Sequence, residues 1–297
     1  QATKLAPTTS AAPAAKTKEV TLDDAPVADP PAEGSAKKPT KNVIRVFNDW
    51  VGEAAKELKI RLSNVNIKVE DNVDKAAMDV SGGGKTKVEL DGQNVLDSYS
   101  VLYQAGLRKQ GEGTLTITDE TDDAGNEITA TKSGTSGSLT AKGAGGNGAA
   151  GIGGSVAEGT KNIIIEGYAT VHATGSGNGA GIGGGYAGNA KNIIIRGHSK
   201  VKATACNGAA IGGGSAGWSS YYGGSAKGIV ICDHATVAAR SDMGHGAAIG
   251  AAGDNGKDTE AEVTIGTAGA TAEQEDVHVT ATGFYGSCLL YTSDAAD

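Results

Sequence analysis

A glycine-rich phrase that recurs along the second half of the chain constrains the fold more than any other feature. Its four versions read NGAAGIGGS (147–155), NGAGIGGG (178–185), NGAAIGGG (207–214) and HGAAIGAA (245–252). Each of the first three is followed by a lysine with an apolar triplet, and then by a second run that begins with valine. The lysines are Lys161, Lys191 and Lys227, and the valines are Val171, Val201 and Val237. A unit repeated at a regular period is the signature of a solenoid.

The spacing inside the unit indicates which kind of solenoid. The phrase isoleucines Ile152, Ile182, Ile211 and Ile249 follow one another at 30, 29 and 38 residues, and each lysine precedes its valine by 10. Val and Ile suit a pleated, half-buried surface, and glycine supplies the positive φ of tight corners. Propeller repeats are longer, ~40–45 residues, and interior glycines disfavour helices. We therefore predict an all-β chain folded as a parallel β-helix, with about 30 residues in each coil.

Upstream of residue 144 the pattern is looser but still typical of strands. Residues 58–62 and 65–69 alternate with period two, and further strands are predicted at 77–80, 88–90 and 114–117. Residues 48–58 fit either one more irregular strand or a short capping helix. That helix begins at Asn48 or Asp49, with one face formed by Val51, Ala54, Ala55 and Leu58.

The two ends of the chain differ in composition from the rest. Residues 1–40 contain all six prolines and few large apolar groups, which predicts a disordered linker. No initiator Met or signal segment is present, so either an export signal was removed before Gln1 or the record begins inside a reading frame. Residues 288–297 (CLLYTSDAAD) resemble a translated sequencing adapter, with a genuine strand as the alternative. The predicted β-helix therefore covers 41–287, with regular repeats at 144–283, and the chain is interpreted as a fragment.

Composition excludes several function classes. The net charge of −8 argues against nucleic acid or an anionic membrane as partner. No apolar run approaches the ~18 residues of a membrane span. With aromatic residues at 4 %, a large aromatic catalytic core is not expected. Cys206 and Cys232 lack metal-ligand spacing and are interpreted as small buried or half-buried residues, with a disulfide between neighbouring repeats as the alternative.

The order AAMDVSGG, TLTI and then successive AGIGGG, NIII and TVxATG units, over residues 58–283, resembles glycine-rich surface proteins of bacteria. Such proteins are often described as carbohydrate-binding or adhesin-like. The resemblance implies a right-handed parallel β-helix that is exported and displayed on the bacterial cell surface, outside the cell, on a linker. It implies no site residues in this chain.

Two segments resemble catalytic elements of β-helix enzymes. Gly244-His245-Gly246 resembles an element of polygalacturonases, but His245 aligns with the phrase asparagines, which predicts a turn. The basic segment 196–200 (RGHSK) resembles a lyase cluster, yet it falls at a variable corner of the repeat. Glycoside hydrolysis needs two carboxylates at a defined separation, and no such pair is evident. We therefore predict no catalytic residue.

Two acidic stretches, 119–127 (DETDDAGNE) and 254–262 (DNGKDTEAE), raise the question of calcium. Calcium takes six to eight oxygen ligands at spacings that wrap one ion, and neither stretch has EF-hand spacing. We interpret both as solvated loops and predict no cofactor and no metal ligand, with calcium left open.

An inserted corner of the third unit is the strongest functional lead. Trp218, Tyr221 and Tyr222 lie within five residues, and Tyr186 occupies the matching corner one unit earlier. Aromatic rings with a polar edge suit stacking on sugars, whereas the alternative is a corner that covers apolar surface. We predict a non-catalytic surface module that binds polysaccharide, a cell-surface glycan or another surface. A polysaccharide lyase or glycoside hydrolase on the same scaffold and a structural stalk are the alternatives.

Overall fold

The computed structural model describes residues 39–51, 56–71, 73–98, 103–121, 137–146, 148–217, 223–243, 245–253, 259–267 and 276–283, and the backbone of 20–23. The described residues form strands and no helix. In chain order the strands are β1 (Val20–Asp23), β2 (Ile44–Phe47), β3 (Leu58–Ser63), β4 (Asn66–Lys68), β5 (Met78–Ser81), β6 (Thr86–Asp91), β7 (Gln93–Asp97), β8 (Leu107–Lys109), β9 (Leu115–Thr118), β10 (Ser138–Lys142), β11 (Ile152–Gly153), β12 (Thr160–Ile165), β13 (Thr170–Thr174), β14 (Ile182–Gly183), β15 (Ala190–Ile195), β16 (Lys200–Ala205), β17 (Ile211–Gly212), β18 (Ala226–Ile231), β19 (Thr236–Ser241), β20 (Ile249–Gly250), β21 (Ala261–Ile265) and β22 (His278–Thr282).

The strands form three parallel sheets that the chain visits in turn. Sheet 1 contains β2, β5, β8, β11, β14, β17 and β20; sheet 2 contains β1, β3, β6, β9, β12, β15, β18 and β21; sheet 3 contains β4, β7, β10, β13, β16, β19 and β22. One strand of each sheet makes one coil, so coil 1 is β2–β4 and coil 7 is β20–β22. This is the predicted parallel β-helix; its hand stays a prediction.

The register between coils confirms the repeat alignment made from the sequence. Ile152, Ile182, Ile211 and Ile249 are successive partners in sheet 1. In sheet 2 the lysines pair with one another, and in sheet 3 the valines do so. The longer third period is accommodated between β17 and β18, outside the strands.

The apolar triplet does not face inward as a whole. Ile163 and Ile165 are fully buried, whereas Ile164 between them points outward and is half-buried. Coils 5 and 6 repeat this alternation. The core is one continuous column of aliphatic side chains from all three sheets, as expected for strands whose successive side chains point to opposite faces.

Glycine is required inside the sheet 1 strands as well as at the corners between sheets. Gly153, Gly183, Gly212 and Gly250 are the second residues of the short sheet 1 strands, and their φ angles lie between 132° and 144°. A Cβ added at any of the first three would overlap the carbonyl oxygen of the corresponding glycine in the next coil. Side chains are therefore excluded from this column by both the dihedral and the stacking.

The first coils confirm the predicted strands and correct one alternative. Residues 48–51 contain no helical turn, and Leu58 begins β3, so the capping helix is wrong for the described part of the segment; residues 52–55 lie outside it. Asn48 explains the difference. Its Nδ2 donates to the Lys85 carbonyl at 2.7 Å, and its Oδ1 accepts from the Trp50 amide at 3.1 Å, which holds this chain against the next coil.

Inside the predicted linker, Val20–Asp23 pairs in parallel with β3 at the edge of sheet 2. This pairing satisfies backbone groups that the edge strand would otherwise present to solvent. Residues 1–19 and 24–38, and the proposed adapter segment 288–297, lie outside the described residues.

Candidate functional site

The predicted aromatic corner falls largely on residues that are not described. Trp218, Tyr221 and Tyr222 lie outside the described residues. Tyr186 lies inside them, on the loop between sheets 1 and 2 of coil 5. Its ring is half-buried, and its amide donates to the Gly148 carbonyl at 2.8 Å. Sugar stacking at this corner stays a prediction.

The two segments that resemble catalytic elements occupy ordinary positions in the repeat. His245 lies four residues before Ile249, as Asn178 and Asn207 lie before their isoleucines. Asn207 donates from Nδ2 to Oδ1 of Asn178 at 2.8 Å, which marks this position as a site of coil-to-coil bonding.

The basic segment 196–200 is dispersed by the fold. Arg196 donates twice to Oε2 of Glu166 in the preceding coil, at 2.8 and 2.6 Å. His198 stacks between Tyr168 and His234, with ring centroids 4.9 and 4.6 Å apart. Partial burial and the neighbouring His234 lower the pKa of His198. Lys200 points outward from sheet 3, so the three cationic groups do not converge on one site.

The cysteines and the acidic stretches show no metal centre in the described part of the chain. Cys206 and Cys232 each carry a thiol, because they follow strands of different sheets and lie at different corners; the disulfide alternative is wrong. Within the described ranges, no group of three or more His, Cys, Asp or Glu is placed to hold a metal. Most of both acidic stretches lies outside those ranges. Asp119 is described and accepts from the Gly137 amide at 2.5 Å.

A charged cluster on the outer face of sheet 1 was not foreseen from the sequence. Arg108 in β8 donates to Glu158 from Nε, at 2.9 Å, and from Nη2. Its Nη1 lies 3.6 Å from Oδ2 of Asp79 in β5. Burial raises the pKa of Asp79 despite the attraction of Arg108 and Arg45, and its Oδ1 is buried without a hydrogen-bond partner in the described structure. Two carboxylates thus meet at one arginine, across three coils.

Beside this cluster, Lys109 points inward and is 2 % exposed. Its Nζ donates to the carbonyl oxygens of Gln110 and Gly111 at 3.0 and 3.1 Å. Burial, followed by the repulsion of Lys161, lowers the pKa of Lys109 to about 8. A shallow pocket of about 340 Å³ opens here, lined also by Lys161 and Lys191. Because Lys109 is held by its own chain and Lys161 pairs with Glu112, we interpret the pocket as structural.

The outer surface of sheet 3 carries lysines and hydroxyl groups, in contrast to the paired carboxylates and arginine on sheet 1. We name the outward side chains of β10, β13 and β16 the basic face: Ser138, Thr140, Lys142, Thr170, His172, Thr174, Lys200, Lys202 and Thr204. They stand in three columns, because the three strands pair in register. The face contains lysines, hydroxyls and an imidazole but no carboxylate, although the chain as a whole has a net charge of −8.

The lysines of the basic face differ from several other cations of the coils in their surroundings. Arg196, Lys161 and Lys227 each pair with a glutamate. In the described structure Lys142, Lys200 and Lys202 form no ion pair, and all three are exposed. Carboxylates lie at the margins, where Asp97 in β7 is the partner of Lys142 in the sheet and Asp242 pairs with Arg240 beyond β19.

The sequence contains a pattern from which part of the basic face can be predicted. Each valine of the repeat is followed by an outward residue, and these are His172 and Lys202 in successive units. The alternation of buried and exposed positions in those runs, once set against the valine alignment, is sufficient to place the column. No comparable signal exists for Arg108 with Glu158, which come from a short irregular strand and a loop.

The stacked coils and all-parallel sheets define the chain as a parallel β-helix, a solenoid. No family model matches it, and no curated protein or solved structure does so. The likeness to glycine-rich bacterial surface proteins therefore stays a prediction. The described residues include no helix of the length and hydropathy that crossing a membrane requires.

Proposed function

We propose that this protein is a non-catalytic binding module of the bacterial cell surface that binds an extended carbohydrate polymer. The observation that supports this best is the outer surface of sheet 3. There, hydroxyl, amine and imidazole groups recur in register on consecutive strands. Parallel strands repeat every ~4.8 Å, a spacing close to the length of one sugar residue in an extended chain. Such a surface offers polar side chains to successive sugars at nearly the repeat of the polymer.

The surroundings of the surface support binding over catalysis. The strands hold the backbone of these residues in place through the sheet, so binding does not have to order the backbone, which favours affinity for a repetitive ligand. The charged groups that would serve catalysis, Asp79 and Glu158, are engaged with Arg108 on sheet 1, a different side of the helix.

Retention on immobilised polysaccharides tests the proposal. The whole chain is passed over a panel of neutral and acidic polysaccharides, beside a variant with Trp218→Ala and Tyr222→Ala. We expect retention on at least one polymer. Retention that the double variant loses assigns binding to the aromatic corner, and retention that it keeps assigns binding to another surface. Absence of retention across the panel contradicts the proposal and favours a structural stalk.

The cluster of Asp79, Arg108 and Glu158 favours one alternative specifically, a polysaccharide hydrolase or lyase. Two carboxylates, one with a raised pKa, beside an arginine are groups that acid–base chemistry uses. Incubation of the chain with the same polysaccharides, followed by an assay for new reducing ends, decides between a binding module and an enzyme. We expect no new reducing ends. Release that disappears in Asp79→Asn contradicts the non-catalytic proposal.

A further inference from the structure

We propose that the basic face binds a polysaccharide that carries carboxylates, an inference that rests on the proposed carbohydrate-binding function and names its ligand class. Lys142, Lys200 and Lys202 are exposed, and in the described structure they form no ion pair. Several other cations of the coils, Lys161, Arg196 and Lys227, pair with carboxylates of neighbouring coils.

Geometry indicates how such a polymer lies on the face. Lys142 and Lys202 stand two strands apart in neighbouring columns, so their backbones are separated by about 10 Å across the strands. Lys200 lies in the third column, beside Thr170. Each column thus contains one lysine: Lys142 lies on β10, and Lys200 and Lys202 lie on β16. A polymer that crosses these strands obliquely meets an ammonium group on β10 and another on β16, with the hydroxyls and the imidazole of β13 between them.

The hydroxyls distinguish a carbohydrate from other polyanions. Thr140, Thr174 and Thr204 both donate and accept hydrogen bonds, which matches the alternating hydroxyls and carboxylates of an acidic sugar chain. Binding of single-stranded nucleic acid relies on aromatic rings that stack on bases and on a long basic groove. The basic face has no aromatic ring other than the imidazole of His172.

The experiment compares the same polysaccharide with free carboxylates and with esterified carboxylates. Fluorescently labelled alginate and its propylene-glycol ester are titrated with the whole chain at low and high salt, beside a single-stranded DNA of similar length. The test variant is Lys200→Glu with Lys202→Glu. The matched control is Lys59→Glu with Lys191→Glu, which makes the same charge change on exposed lysines of sheet 2.

We expect alginate to bind, to weaken as salt rises because exposed charges are screened, and to exceed its ester by about tenfold. The test variant loses about tenfold in alginate affinity, while the control stays within about twofold. Circular dichroism checks that each variant folds. If the double charge reversal does not fold, Lys202→Gln replaces it, and we expect a smaller loss of alginate affinity.

Three results overturn the inference and leave the proposed function intact: the ester binds as tightly as alginate, the control loses as much as the test variant, or a neutral polysaccharide alone is retained. Equal affinity for DNA overturns it as well, because general attraction of polyanions then accounts for the binding. Absence of binding to every polysaccharide contradicts both proposals together.

Discussion

The first three coils and the last four build the same three-sheet helix from different chemistry, and one column of sheet 1 shows the contrast. In coils 1–3 that column holds Arg45, Asp79 and Arg108, and from coil 4 onward it holds glycine at every step. The charged residues have ordinary extended dihedrals, whereas the glycines lie at positive φ. The early coils are joined by side chains here, and the later coils by direct backbone stacking.

The contrast extends to the core. Where coils 4–6 have Ile163, Ile193 and Ile229 at one sheet 2 position, coil 2 has the buried Thr86. Thr86 lies 3.4 Å from Nδ2 of Asn48, which enters from coil 1. In the regular repeats the same aliphatic side chain stacks on itself from coil to coil. In the irregular coils a buried polar side chain such as Thr86 needs its own hydrogen-bond partner from a neighbouring coil. The two regions are expected to respond differently to substitution.

The largest effect is expected from a methyl group in the glycine column. Gly212→Ala places a Cβ against the Gly250 carbonyl at a φ of 141°. It should therefore lower the free energy of unfolding by at least about 3 kcal/mol, or prevent folding. Chemical denaturation followed by circular dichroism measures this.

The control for that change is Gly146→Ala, since nothing lies within 4 Å of a Cβ there. Its effect should stay within about 0.5 kcal/mol. Equal destabilisation by the two substitutions contradicts the idea that stacking, rather than loop flexibility, requires glycine.

A smaller effect is expected where side chains join the two regions. Arg108→Gln removes the cation that Glu158 and Asp79 share, and the side chains of Arg108 and Glu158 are only 21 % and 28 % exposed. We expect a loss of about 2 kcal/mol, and a double-mutant cycle with Glu158→Gln should show coupling.

Arg240→Gln is the matched control, because its pair with Asp242 is exposed and should contribute less than about 1 kcal/mol. If the two arginine variants lose the same amount, the junction between coils 3 and 4 has no special dependence on its ion pairs.

The smallest effect concerns Lys109, the buried lysine beside that junction. Its pKa of about 8 lies below the ordinary 10.5 that it regains on unfolding. Between these values the unfolded chain binds more protons, so stability should rise with pH from 8 to 10.5. Lys109→Met removes this rise, which is at most about 1.4 kcal/mol per pH unit.

Denaturation curves at pH 7.5, 9 and 10.5 provide the measurement, and only the slope against pH is compared, because the methionine also leaves two carbonyls unpaired. Identical slopes for the wild type and the variant contradict a lowered pKa for Lys109.

How far the sequence predicted the structure depends on the region. In the regular repeats the sequence predicts the register to the residue, because the glycine phrase, the lysine and the valine can be recognised in each unit and each lysine precedes its valine by 10 residues. In the early coils the sequence predicts the strands, but at Asn48 it fits both a helix and a strand. The conformation at Asn48 depends on bonds to Lys85, a residue of the next coil, and no local pattern carries that information.

The candidate sites follow the same division. The outward orientation of Lys202 can be predicted from its position after Val201. Its neighbours on the surface cannot, because they belong to other coils. Arg108 and Glu158 are separated by 50 residues and meet only through stacking.

The sequence by itself determined a solenoid of short parallel strands, because glycine and aliphatic residues recur at a spacing that only stacked coils satisfy. The tertiary structure decided which outward side chains become neighbours. That outcome depends on how each coil aligns with the next, and so on dihedrals, loop lengths and hydrogen bonds between residues far apart in the chain. The basic face, the Arg108 cluster and the buried Lys109 all arise at this second level.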